Sequence, residues 1–122
     1  MVIGFNKRFI KPILAKTKIH TIREDSHNRW KAGMKMHMAT GVRTKEYSQF
    51  NEETCKSTQK IEIIRTSDYL EKMIVKVDDR TLTESEVQQL AWNDGFENLA
   101  DFWVWFADEF KGKIIHWTEL RY

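Results

Sequence analysis

The sequence contains little cysteine, little proline and no long apolar run. Among its 122 residues there is one cysteine, Cys55, and one proline, Pro12. A single thiol excludes an internal disulfide and a thiolate cluster for zinc. No apolar run approaches the roughly 18 to 20 residues that span a bilayer, and the start from Met1 to Asn6 is too short an apolar patch for a secretory signal. We therefore expect a cytoplasmic protein with no membrane partner.

The chain does contain enough apolar material for one core. Hydrophobic residues make up 41% of the sequence and aromatic residues 12%. A chain of this length is long enough for one core and short for two. We therefore expect residues 1–122 to form a single domain.

Charge is divided unevenly along the chain. The net charge is +2, yet residues 1–45 hold eleven lysines and arginines against two acidic residues, which gives this segment a charge of +9. The remaining 77 residues carry a charge of −7. A basic segment can bind phosphates through counterion release. Two interpretations follow: the N-terminal segment is a nucleic-acid-binding surface, or its charges form an ordinary solvated face.

A helix is predicted near the start of the chain. Asn6 is a candidate N-cap for a helix from Lys7 to Ala15. Because proline is tolerated only in the first turn, this helix is either kinked at Pro12 or begins close to Lys11. Its apolar face would consist of Phe9, Ile10, Ile13 and Leu14.

Alternating apolar residues predict several strands. The segment from Met34 to Thr40 places three methionines on one face, which indicates core packing rather than a metal site, because His37 points the other way. Residues 60–65, 73–77 and 114–117 have a similar alternation. Residues 41–58 have no clean period and are predicted to be a loop or excursion. Cys55 lies in the polar stretch from Asn51 to Gln59, where surface loops are common, and is a poor candidate for a nucleophile.

The C-terminal third has helical periodicity. Thr83 and Glu86 form a capping box for a helix that should end near Gly95. A second helix is predicted over residues 98–110. Its apolar stripe would consist of Leu99, Phe102, Trp103, Phe106 and Phe110. Trp105 falls outside that stripe, so it packs at an edge, faces a partner or is exposed.

Side chains that can do chemistry concentrate in the segment from Lys18 to Asp25. Its β-branched residues favour extended backbone, in which Thr21 and Arg23 point to the same face. Lys18 would point to the opposite face in a regular strand. It can meet Thr21 only if it precedes the strand proper, at a turn or bulge. His20 lies opposite Thr21 and is expected to pack or to meet solvent on the other face.

One spacing of residues resembles a known family. Lys18-x-x-Thr21-x-Arg23 is followed by Lys31-Ala32-Gly33 and, much later, by Asp94-Gly95-Phe96. This pattern resembles the ASCH family of PUA-like β-barrel domains, and within it the small bacterial acetylcytidine amidohydrolases. The resemblance covers residues 5–41 and returns at residues 91–117. It implies an α+β fold, a small mixed PUA-like β-barrel flanked by helices, whose pocket binds a modified nucleoside or RNA.

The resemblance also implies a catalytic set for hydrolysis of the acetyl amide of acetylcytidine. Lys18 would be the proton acceptor, Thr21 the nucleophile and Asp94 the proton donor. A lysine can activate a threonine only if burial or a nearby cation such as Arg23 lowers its pKa. The acid of the amidohydrolases is a glutamate, which is longer than Asp94 by one methylene. Asp94-Gly95 is also the sequence of an ordinary turn that ends a helix.

Four residues are expected to bind the substrate. Arg23 would stabilise the tetrahedral oxyanion. Trp30 lies in a basic loop between Arg29 and Lys31, where its ring could stack on a nucleobase or fold back over the barrel. The four histidines have no metal-binding spacing, and no metal or cofactor is predicted. Two hypotheses remain open: an acetylcytidine amidohydrolase, and a non-catalytic RNA- or nucleotide-binding module.

Overall fold

Two β-sheets and three α-helices form the part of the chain that the computed structural model describes, residues 1–66 and 73–122. The chain is therefore a mixed α+β protein, as predicted. The strands are β1 (Val2–Gly4), β2 (His20–Arg23), β3 (Lys35–Thr40), β4 (Ser48–Thr54), β5 (Ser57–Arg65), β6 (Met73–Val77), β7 (Arg80–Thr81) and β8 (Phe110–His116). The helices are α1 (Ile10–Leu14), which follows a 3-10 turn at Lys7–Phe9, α2 (Glu84–Asn93) and α3 (Leu99–Trp105).

The strands pair in two separate sheets. The smaller sheet has the order β1-β3-β4, in which β1 is parallel and β4 antiparallel to β3. The larger sheet has the order β2-β8-β5-β6-β7 and is antiparallel throughout. Over residues 1–66 and 73–122 the two sheets are not closed into the barrel that the resemblance implied. The edge strands β1 and β7 have three and two residues, which offer little backbone for a further ladder.

One hydrophobic cluster includes side chains from both sheets and all three helices. Met36 and Met38 of β3 are fully buried, as predicted, whereas Met34 precedes β3 and is only half-buried. Cys55 is also fully buried, so the predicted surface position for this thiol is wrong. None of the described helices is long and apolar enough to cross a membrane.

The helix starts follow their sequence signals. Asn6 caps the first helical turn by accepting a hydrogen bond from Arg8 N at 3.0 Å. Pro12 lies in the first turn of α1, where it removes no helical hydrogen bond. At α2, Thr83 Oγ1 accepts from Glu86 N at 3.2 Å and Glu86 Oε1 accepts from Thr83 N at 3.0 Å. This reciprocal pair confirms the predicted capping box.

Three local predictions are wrong. Residues 48–54, predicted to be part of a loop, form β4, whose largely exposed polar side chains give no apolar alternation. The helix predicted over residues 98–110 ends at Trp105, and Phe110 begins β8 instead. Leu14, expected on the apolar face of the first helix, is 54% exposed because α1 ends there.

Candidate active site

The candidate site forms where the chain entering β2 passes the end of α2. Lys18 N donates to the Pro12 carbonyl at 3.0 Å, and Ile19 N donates to the Asn93 carbonyl at 2.8 Å. The strand itself begins at His20. Lys18 therefore precedes the strand, which is the position that it needs in order to meet Thr21. Because Lys18 lies outside β2, the alternation of side chains along the strand does not determine where its side chain points.

Lys18 is buried against the end of α2. Its side chain is 2% exposed, and Nζ donates to the Asp94 carbonyl oxygen at 2.6 Å and to Asp94 Oδ1 at 3.3 Å. Nζ also lies 4.7 Å from the centre of the Phe9 ring. The fold thus brings together two predicted site residues that are 76 positions apart in sequence.

The surroundings of Lys18 change its acidity. Burial lowers the pKa of Lys18 from 10.5 to about 8, because the ammonium loses hydration. Asp94 opposes this shift through its charge and its hydrogen bond, whereas the nearby charge of Arg23 adds to it. With a pKa of about 8, roughly one tenth of the lysine is neutral at pH 7, and the neutral amine is the form that accepts a proton.

Gly95 makes room for the stem of Lys18. Its φ is +96°, a left-handed conformation that favours glycine. A Cβ at this position would lie 2.9 Å from Lys18 Cδ and 3.1 Å from Phe9 Cδ1. The helix α2 ends with Asp94 as its C-cap. Asp94-Gly95 therefore ends the helix and also gives the lysine access to the acid, so the two interpretations of this dipeptide are compatible.

Asp94 has a second side-chain partner, His20. The imidazole Nδ1 lies 3.1 Å from Asp94 Oδ1, and Nε2 lies 2.6 Å from the hydroxyl of Tyr122. His20 is fully buried, and burial lowers its pKa below the usual value against the opposing effect of Asp94. The histidine thus packs inside the protein, and in addition it contacts the candidate acid.

Thr21 and Arg23 share the other face of β2, as strand alternation predicted. Arg23 Nε donates to Thr21 Oγ1 at 3.2 Å, and Nη2 donates to the Gly4 carbonyl oxygen at 2.6 Å. The guanidinium carbon lies 4.8 Å from the centre of the Phe5 ring. These contacts fix the direction of Arg23 and hold its charge beside the Thr21 hydroxyl.

Lys18, Thr21, Arg23 and Asp94 line a single pocket of about 190 Å³. The rest of its lining is mostly apolar and consists of Gly4, Phe5, Asn6, Phe9, Ile22, Phe96, Trp105 and Phe106. Pockets for drug-sized ligands usually measure about 300 to 1,000 Å³. This pocket is therefore suited to one small ring system or to one group of a larger ligand.

An aromatic side chain lies at the edge of this pocket, and a cation lies beside its ring. Trp105 lines the pocket and is 49% exposed. Its ring meets the Phe9 ring edge to face, with 5.5 Å between centres. The Arg8 guanidinium lies 5.8 Å from the Trp105 ring and 5.2 Å from the Phe9 ring. Of the three alternatives for Trp105, the structure shows an edge position with half of the ring exposed.

The predicted basic loop lies away from this pocket. Asp25 organises the loop by accepting hydrogen bonds from Arg29 N at 2.8 Å and Trp30 N at 3.0 Å, and it pairs with Lys113 Nζ at 3.1 Å. Trp30 is 8% exposed and belongs to the hydrophobic core, so its ring is folded inward. Arg29 and Lys31 are exposed. None of these three side chains is among the described residues that line the pocket.

The contacts of His20 with Asp94 and with Tyr122 are absent from the sequence predictions. No local spacing signals either of them, because Asp94 lies 74 positions and Tyr122 102 positions from His20. The presence of a histidine inside the Lys18–Arg23 motif was the one available signal. Within residues 1–66 and 73–122, no group of three or more His, Cys, Asp or Glu side chains is placed to hold a metal ion.

No protein-family model matches this chain, and neither a curated protein nor a solved structure gives a significant match. The interpretation of the site therefore depends on its geometry and on the sequence spacing of Lys18, Thr21 and Arg23.

Proposed function

We propose that this chain is a PUA-like domain of the ASCH type, with an open pair of sheets, that acts in the cytoplasm as an acetylcytidine amidohydrolase. The observation that carries the proposal is the buried contact between Lys18 and Asp94 in a pocket that also holds Thr21 and Arg23. An amine with a lowered pKa, a hydroxyl and a carboxylate are the groups needed for acyl transfer to threonine. The small pocket suits a pyrimidine ring and its acetyl group.

The first step is attack by Thr21 on the acetyl carbonyl carbon. Neutral Lys18 accepts the hydroxyl proton as Thr21 Oγ1 forms the new C–O bond. The Thr21 hydroxyl accepts from Arg23 and Lys18 donates to Asp94, which leaves the hydroxyl hydrogen of Thr21 to be donated and the lone pair of the neutral amine to accept it. As the hydroxyl oxygen bonds to carbon, Arg23 donates to the oxyanion of the tetrahedral intermediate.

The proton taken by Lys18 next goes to the leaving group. Lys18 Nζ and Asp94 Oδ1 are 3.3 Å apart, so Asp94 can receive the proton and deliver it to the exocyclic nitrogen as the C–N bond breaks. Cytidine leaves, and the acetyl group remains on Thr21 as an ester. Lys18 then takes a proton from water, which attacks the ester, and Thr21 regains its proton as acetate leaves. The sum is acetylcytidine and water to cytidine, acetate and one proton.

The test is chromatographic measurement of cytidine and acetate after incubation with acetylcytidine. We expect the parent to release cytidine and acetate. Thr21→Ser keeps the hydroxyl and should therefore retain part of the parent's rate. Lys18→Met should lower the rate by roughly 100-fold to 10,000-fold, the range attributed to a lost general base. Thr21→Ala removes the nucleophile and should lower the rate at least as much. Equal rates for the parent and Thr21→Ala, or no release by the parent, would contradict the proposal.

A second candidate function is binding of RNA or a nucleotide without turnover. The observation that favours it is the half-exposed Trp105 at the pocket edge, with the Arg8 guanidinium beside its ring. Aromatic rings and arginines are the usual contacts of unpaired bases and their phosphates. Fluorescence titration with single-stranded RNA at several salt concentrations tests it, because each phosphate contact adds about 0.7 to the slope of log affinity on log salt. An affinity that salt does not change would contradict it.

A further inference from the structure

His20 and Tyr122 form a chain of hydrogen bonds whose donor and acceptor roles are fixed by its two ends. At one end, the Asp94 carboxylate oxygen can only accept, so the proton on His20 lies on Nδ1 and is donated to Asp94 Oδ1 at 3.1 Å. At the other end, the Asn93 amide donates from Nδ2 to the Tyr122 hydroxyl oxygen at 2.9 Å. The Tyr122 hydroxyl is thereby left to donate to His20 Nε2, at 2.6 Å.

The charge states of the two rings agree with these roles. Burial lowers the pKa of His20, which keeps the imidazole neutral with one proton to donate and one nitrogen to accept. Burial also raises the pKa of Tyr122, which keeps the phenol protonated. Each bond in the chain therefore has one donor and one acceptor.

Tyr122 is itself held in place by β5. Gln59 Oε1 accepts from Tyr122 N at 2.9 Å, and Gln59 Nε2 donates to the Tyr122 carbonyl oxygen at 3.0 Å. Gln59 is in turn fixed by His116, whose Nε2 lies 2.9 Å from Gln59 Oε1. The chain of contacts thus starts from the larger sheet and ends at the acid beside Lys18.

We propose that Tyr122 and His20 are positioning residues that hold the Asp94 carboxylate in one orientation against Lys18. A short acid at a helix C-cap has a backbone fixed by α2, but its carboxylate can still rotate. The bond from His20 removes that freedom by pinning the oxygen that Lys18 also contacts. A displacement of about 1 Å at a reacting group can cost roughly 100-fold in rate, so this restraint matters for proton transfer. The catalytic consequence rests on the proposed amidohydrolase function, whereas the orientation of the acid does not.

The first test is the tautomer of His20, read from the ¹⁵N chemical shifts of its ring nitrogens in the parent. We expect the Nδ1–H form. Tyr122→Phe keeps the ring and removes the hydroxyl, so the tautomer should stay Nδ1–H while the ¹⁵N shift of the unprotonated Nε2 moves downfield through loss of its hydrogen bond. Tyr47→Phe, which removes an exposed hydroxyl, is the matched control and should leave both ring nitrogen shifts unchanged. An Nε2–H form in the parent, or an unchanged Nε2 shift in Tyr122→Phe, would overturn the proposal.

The second test is kinetic. Tyr122→Phe and His20→Leu should lower kcat by roughly 10- to 100-fold with little change in KM, because the substrate pocket is intact and the acid is misplaced. His20→Asn should restore much of kcat, because its amide nitrogen can replace Nδ1 as donor to Asp94. Equal kcat in His20→Leu and His20→Asn would overturn the positioning role. If the parent has no hydrolase activity, the proposed function fails, and the tautomer measurement alone decides whether the orientation is held as described.

Discussion

The buried ammonium of Lys18 makes the stability of the fold depend on pH in a predictable direction. Below about pH 8 the lysine is protonated in both the native and the unfolded state, so its titration does not change the free energy of unfolding. Between about pH 8 and 10.5 the unfolded chain binds this proton and the native protein does not. The stability contributed at this site therefore rises with pH over that interval and becomes constant above it.

The expected size follows from the shift in pKa. The value falls from 10.5 to about 8, and each pKa unit corresponds to about 1.4 kcal/mol. Stability should therefore rise by about 3 kcal/mol between about pH 7 and pH 11. The side chain is 2% exposed, so solvent screening reduces this figure little.

Urea unfolding of the parent and of Lys18→Met across that pH range isolates this effect. Other groups titrate in both proteins and cancel in the difference between their free energies of unfolding. The difference should change by about 3 kcal/mol in favour of the parent as pH rises. Lys45→Met, which removes an exposed lysine, is the matched control. A flat difference for Lys18→Met, or one that changes in the opposite direction, would refute the reasoning.

Three further predictions concern single positions. Gly95→Ala and Gly33→Ala both place alanine at a positive φ, which should lower the free energy of unfolding by about 1 to 2 kcal/mol. Gly95→Ala should lower it by roughly 1 to 3 kcal/mol more, because its Cβ meets the stem of Lys18. Thr83→Ala should lower the free energy of unfolding by about 1 kcal/mol through loss of the capping box. Trp105→Ala should raise KM for acetylcytidine roughly 5- to 100-fold, because the substrate loses its contact with the ring. Val104→Ala changes the more exposed neighbour and should leave KM unchanged.

Each of these three predictions would be contradicted by one result. Equal losses of stability in Gly95→Ala and Gly33→Ala, measured by urea unfolding, would mean that the crowding around Lys18 is absent. A Thr83→Ala protein as stable as the parent would contradict the reciprocal hydrogen bonds at the start of α2. A KM in Trp105→Ala equal to that of the parent would show that the ring does not contact the substrate.

Local signals in the sequence predicted the parts of the fold that local contacts determine. The capping box at Thr83 and the N-cap at Asn6 depend on residues within one helical turn, and both are present. The shared face of Thr21 and Arg23 follows from strand alternation alone. The position of Lys18 before β2 was a requirement of the predicted site, and the structure meets it.

Contacts between distant parts of the chain could not be predicted in the same way. The partners of Asp94 come from a segment more than 70 positions earlier, and Tyr122 reaches His20 across 102 positions. Strand β4 was not predicted because its side chains are mostly polar and give no apolar alternation. Its backbone ladder with β3 holds it in the sheet. Of the two positions predicted for Trp30, stacking on a nucleobase or folding back, the structure shows a ring buried in the core despite its charged neighbours.

The most direct test of the central claim is the pH dependence of kcat/KM for acetylcytidine hydrolysis by the parent. If neutral Lys18 is the base, kcat/KM should rise about tenfold per pH unit below its pKa of about 8 and level off above it. A rate that does not vary between about pH 6 and pH 9, or that falls as pH rises, would contradict the assignment of Lys18 as the proton acceptor.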